Sequence, residues 1–144
     1  MKKFTIIILL VLFLINSSTV FAGPKIKNQI TENTIQTLII GLESDNVGLK
    51  SSSAYMIGEL QITEGIIPLL RMLHNENNED LRIAAALALY KIGSPTSIYA
   101  VKQAIRFDES KRVSKHCADF YQEYQKNKLN DEEKIVDVSK IASK

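Results

Sequence analysis

Few residues in this chain could carry acid–base, metal or nucleophilic chemistry. There are two histidines, His74 and His116, a single cysteine, Cys117, and a serine run, Ser51-Ser52-Ser53. His74 closes the apolar run IIPLLRMLH, where a basic side chain interacts favourably with the last carbonyls of a helix. His116 and Cys117 are neighbours in sequence. On a helix, neighbours project about 100° apart, so the two do not converge on one ion without further ligands. No Gly-x-Ser-x-Gly elbow or Gly-rich phosphate loop occurs, and the serine run sits in a helical pattern, where close packing or a solvated cap explains it. The residues therefore define no catalytic set, no metal site and no cofactor, and the reading is of a protein that is not an enzyme.

The elements that would position any site are helices in a repeat. Leu81 to Gly93, LRIAAALALYKIG, is apolar on nearly every side. A helix of that kind is packed on all sides, and it is too short for a bilayer, which needs about 20 residues. Leu49, Leu81 and Val113 are spaced 32 apart. The same step joins Ser53, Ala85 and Cys117, then Ala54, Ala86 and Ala118, then Ile57, Leu89 and Tyr121, then Leu60, Ile92 and Tyr124. Each of these helices follows another amphipathic one, marked by Ile35, Leu38, Ile39 and Leu42, by Ile66, Ile67, Leu69, Leu70 and Leu73, and by Ile98, Val101 and Ile105. Asn33 and Thr63 are the expected N-caps of the first two, and Gly93-Ser94-Pro95 the stop between the second and third pairs. Helix pairs of this kind stack, with polar end copies around an enclosed middle one. The expected fold is all-α, an α-solenoid of about three helix pairs.

Residues 1–22 read as a signal peptide. Lys2 and Lys3 precede an apolar run from Phe4 to Ile15, and Val20-Phe21-Ala22 places small residues for cleavage after Ala22. The expected destination is secreted or periplasmic, with no membrane attachment after cleavage; a retained anchor is the competing reading. Without Lys2 and Lys3 the 18 basic residues fall to 16, matching the 16 acidic ones. That balance argues against a nucleic-acid or anionic-membrane binder. With one cysteine no internal disulfide forms, and Cys117 reads as a buried filler in an inward series. Residues 23–32 form a polar lead-in, 33–126 the repeat domain, and 127–144 a C-terminal tail or short helix. A monomer is expected.

LKSSSAYMIGEL and LRIAAALALYKIG resemble second helices of HEAT repeats, specifically the short bacterial HEAT-like type also found in phycobilisome lyases. The likeness rests on Leu49-Lys50 and Leu81-Arg82, on the small pairs Ser53-Ala54 and Ala85-Ala86, and on Ile57-Gly58. IIPLLRML resembles the first helix of such a pair. In the third copy Ser114 replaces the base and the helix end is aromatic. HEAT-like hydroxylases carry His-Glu motifs for iron, and this sequence has no His-Glu dipeptide. Nothing marks a bilin site either.

The resemblance implies that second helices line the concave side, where an unidentified protein partner would bind. The candidates there are Lys50, Ser51, Tyr55, Glu59, Ile83, Leu87, Tyr90 and Lys91, with Tyr55 and Tyr90 foremost because tyrosine supplies area and a hydrogen bond. Glu59, Lys91 and Glu123 share one repeat position and form a ladder of alternating sign. The expected function is an exported interaction module or scaffold. A cofactor-bound enzyme or enzyme accessory and a structural envelope protein are the alternatives.

Overall fold

The computed structural model describes residues 31–142, with side chains through Ile135. The expected signal peptide and its cleavage site lie outside the described residues. Among the described residues six α-helices make three antiparallel pairs: α1 (Glu32–Leu42) with α2 (Val47–Glu59), α3 (Ile66–Asn75) with α4 (Glu79–Ile92), and α5 (Pro95–Phe107) with α6 (Lys111–Ala142). A 3-10 turn, Thr63–Gly65, leads into α3. The all-α solenoid expected from the 32-residue register is the observed fold.

Local chemistry sets the helix starts. Asn46 accepts from Leu49 N at 3.0 Å, Asn78 from Asp80 N at 2.9 Å and Ser94 from Ser97 N at 3.1 Å. Each such cap is worth about 1 kcal/mol. Two caps differ from expectation. Thr31, not Asn33, caps α1, its hydroxyl accepting from Thr34 N. Thr63 opens the 3-10 turn instead of capping α3, which starts from Gly65 with no side-chain cap. Gly93 takes the left-handed conformation (φ 67°) that ends α4, and Pro95 begins α5 two residues later.

The core runs along the stack through Leu42, Ala54, Ile57, Leu69, Leu73, Leu81, Ala85, Leu89, Val101 and Val113. α4 sits in the middle, packed on α2, α3, α5 and α6, which is why its sequence is apolar almost all round. Its two joints with neighbouring second helices are built differently. At the first, a Cβ placed on Gly58 would lie 2.7 Å from the Ala88 Cα, so only glycine lets α2 and α4 come this close. At the second, Tyr90 and Phe120 stack with ring centroids 5.7 Å apart and planes 11° from parallel. Gly58 and Tyr90 occupy the same repeat position, as do Ala88 and Phe120. One joint is thus a backbone seat and the other is held apart by two rings.

Two expectations from the register meet corrections. Leu49, placed in line with the buried Leu81 and Val113, is half exposed because no earlier pair stands against it among the described residues. Residues 127–142, expected as a tail or short helix, continue α6 without a break. No glycine or proline follows Lys126 to stop it. The inward positions also include Met72, Ala100 and Ala104, outside the expected stripes, while Ile67 is exposed.

Cys117 is fully buried, and desolvation pushes its thiol up to about 12. The thiolate is the reactive form, so the folded protein is expected to resist a disulfide reagent such as DTNB at pH 8. In urea the same thiol should react within seconds. Rapid native labelling would show that α6 does not seal this position.

Candidate interaction face

Ionic contacts recur with the repeat and sort into two sets. The first lies at the turns. Lys50 Nζ reaches Glu76 Oε2 at 2.8 Å, and 32 residues on Arg82 reaches Asp108. The Arg82 pair is bidentate: Nε donates to Oδ2 and Nη2 to Oδ1, each at 3.0 Å. Arg82 Nη1 also donates to the Glu76 carbonyl at 2.8 Å. In the third copy Ser114 stands where the base was, its hydroxyl near the Asp108 and Ala104 carbonyls. Grooves open beside both basic residues, the larger of about 520 Å³ around Arg82. Their carboxylates Glu76 and Asp108 are already taken by Lys50 and Arg82, so these are structural joints. Among the described residues no group of His, Cys, Asp and Glu could hold a metal ion.

The second set borders the exposed side of the second helices. Asp80 and Arg112 pair at 2.6 Å near the helix starts. Glu59 and Lys91 pair near the helix ends, and Lys91 Nζ stands 4.8 Å from the centre of the Tyr55 ring. Between these borders, one side of α4 presents Ala84 and Leu87 with Ile83 beside them, all partly exposed. Asp80, Ala84, Leu87 and Lys91 follow the steps of four, three and four that keep one side of a helix.

The expected site residues therefore divide. Tyr55, Glu59 and Lys91 meet in one cluster, with Ile83 and Leu87 on the adjoining strip. Lys50 does not join them, because it turns to Glu76 at the far edge of the stack. Tyr90 is only partly exposed and spends its ring on Phe120, over which His116 also tilts at 6.1 Å. The alternating ladder has one rung: Lys91 pairs with Glu59, and Glu123 forms no ion pair among the described residues. The turn acids Glu76 and Asp108 fell outside the expected site, although their own 32-residue spacing, matching that of Lys50 and Arg82, is a signal for the pairing.

The partners of these carboxylates fix a pH dependence. Lys91 and the Tyr55 hydroxyl hold Glu59 below the ordinary carboxylate value, and Lys50 does the same to Glu76. The folded values lie below the unfolded ones, so both pairs stabilise fully above the unfolded value. That contribution is lost as pH falls toward the lowered values. Urea midpoints should be level near neutrality and drop between about pH 5 and 3. A Glu59→Gln, Glu76→Gln variant should show a shallower drop; an equal slope would place the acid sensitivity elsewhere.

Stacked antiparallel helix pairs with a regular register define an α-solenoid, a class whose surfaces rather than pockets do the work. The family model for HEAT repeats matches residues 35–119, more than half of the chain, and the protein belongs to that family. HEAT repeats generally mediate protein–protein interaction, and the family is typically a non-catalytic scaffold. No curated protein matches the sequence. Among the described residues no helix is long and apolar enough to cross a membrane.

Proposed function

We propose that the protein is an exported scaffold that takes up a protein partner on its second-helix face. The observation that carries this reading is the arrangement of charge on that face. Asp80 with Arg112 and Glu59 with Lys91 neutralise one another across repeats at its two borders. The strip between them, Ile83, Ala84 and Leu87, is half-covered aliphatic surface flanked by the exposed Tyr55 ring. An apolar centre inside a polar rim is the anatomy of a binding patch, where the centre supplies energy and the rim excludes water. The apolar run and Val20-Phe21-Ala22 near the N-terminus support export.

Crosslinking of a tagged full-length copy in cells, followed by identification of captured proteins, tests both parts. Leu87→Asp should weaken the specific capture at least about tenfold, and Tyr55→Ala by a smaller factor. Circular dichroism should show both variants folded. A capture profile identical for wild type and Leu87→Asp would remove the face from the reading. Mass spectrometry should find a mature chain starting at Gly23; a chain retaining Met1 would remove signal cleavage from it.

A further inference from the structure

The two grooves beside the turns occupy one repeat position and are finished differently. In the first, Glu43 of the first pair reaches across to Arg71 of the second at 3.5 Å, and the space left is about 210 Å³. Arg71 corresponds to Gln103, 32 residues on, and Glu43 to His74, 31 residues on because the first turn is one residue shorter. Both counterparts line the second groove without pairing, and it opens to about 520 Å³. That volume lies in the range of about 300–1,000 Å³ in which small-molecule sites fall.

The walls of this second groove hold hydrogen-bonding groups that nothing inside the molecule uses. The side chains of His74, Asn75, Asn77, Gln103 and Glu109 line it and make no hydrogen bond or ion pair among the described residues. Amides elsewhere are spent. Asn46 and Asn78 cap helices, Gln61 donates to the Lys91 carbonyl at 3.0 Å, and Gln125 donates to the Tyr121 hydroxyl. Phe107, one helical turn beyond Gln103, lines the same groove and is 75% exposed. The other apolar liners, Leu73 and Ala104, are buried. Arg82 beneath is already held by both oxygens of Asp108, so no unpaired lysine or arginine lines the groove among the described residues.

We infer that this groove binds a neutral saccharide. A pyranose has an apolar C–H face that covers an aromatic ring, and a rim of hydroxyls that donate and accept. Phe107 supplies the ring. Asn75, Asn77 and Gln103 supply donors and acceptors side by side, and Glu109 a further acceptor. An anionic ligand would meet Glu109 with no free lysine or arginine to answer it. A peptide would find Phe107 alone to receive its apolar side chains.

The test is titration of isotope-labelled full-length protein with neutral tetrasaccharides of glucose, galactose, mannose and N-acetylglucosamine, followed by amide shifts. At least one should bind, with shifts concentrated in residues 73–77 and 103–109 and an affinity indifferent to salt. Phe107→Ala and, separately, Gln103→Ala should each weaken it at least about tenfold. His74→Glu with Gln103→Arg puts the ion pair of the first groove into the second, and should abolish binding while leaving the wild-type circular dichroism. Leu87→Asp, on the second-helix face, should leave saccharide affinity unchanged, which keeps this result distinct from the scaffold reading. No binding across the panel, shifts centred elsewhere, or affinity indifferent to Phe107→Ala overturns the inference. So does a sulfated tetrasaccharide, or a Ser/Leu octapeptide, that takes the groove more tightly than every neutral sugar.

Discussion

Arg82→Ala should cost the domain about 3–5 kcal/mol, read as a shift in the urea unfolding midpoint. The side chains of Arg82 and Asp108 are only 5% and 7% exposed. Truncating the arginine leaves that carboxylate without its counter-charge and takes two donors from it. The Glu76 and Asn77 carbonyls lose a donor as well. The damage comes from stranding a buried charge, not from losing an attraction. A matched control separates the two: Arg82→Met with Asp108→Leu removes both charges and should recover most of the loss. If Arg82→Ala costs below about 1 kcal/mol, the pair behaves as a surface ion pair and water reaches it. Lys50→Ala makes an internal comparison at the same repeat position. Lys50 and Glu76 are about one-fifth exposed, and the loss there should be smaller.

Gly58→Leu should be the second large effect, about 3 kcal/mol. A side chain there meets the Ala88 backbone at 2.7 Å from its first carbon, and backbone cannot swing aside as a flexible side chain does. α2 must back away from α4, opening a layer that includes Ile57, Ala85 and Leu89. Gly58→Ala meets the same clash with less bulk and should lose about 1 kcal/mol. Ala88→Gly should rescue only part of either loss, because it removes the methyl group at 3.2 Å and leaves the closer backbone carbon in place. A neutral Gly58→Leu would mean that α2 and α4 separate at little cost and that the first joint is not a tight seat. The same displacement would move Tyr55 and Glu59 away from Lys91, so partner capture should fall even at temperatures where the variant stays folded.

The fold was legible because three copies repeat one apolar pattern, and each copy checks the others. Leu89 and Ile57 could be assigned inward from sequence for that reason. The ionic architecture is harder to read. Glu76 and Asp108 fall in turns, where an acid reads as a cap or solvated residue. Only their shared spacing with Lys50 and Arg82 points to burial. Lys50 reads as a second-helix-face residue but turns to Glu76, because a helix position does not reveal where a long, flexible side chain will find its partner. The ring area that makes Tyr90 a contact candidate is already used by Phe120. Leu49 illustrates a different limit: register identifies equivalent positions, but exposure depends on whether a neighbour stands there, and that is a property of the array's end. The continuation of α6 beyond Lys126 is hard to read because the run from Asn127 to Lys134 has Leu129 as its one apolar residue and so shows no inward stripe, yet it holds no glycine or proline to interrupt a helix.

The unlike joints on either side of α4 have a mechanical consequence. Gly58 against Ala88 is a backbone-to-backbone seat with no room for a side chain at position 58. Tyr90 on Phe120 is a pair of flat plates, and plates shear. A bound protein that leans on the stack therefore meets two different materials: main chain against main chain at one joint, and ring faces beside the buried Arg82–Asp108 pair at the other.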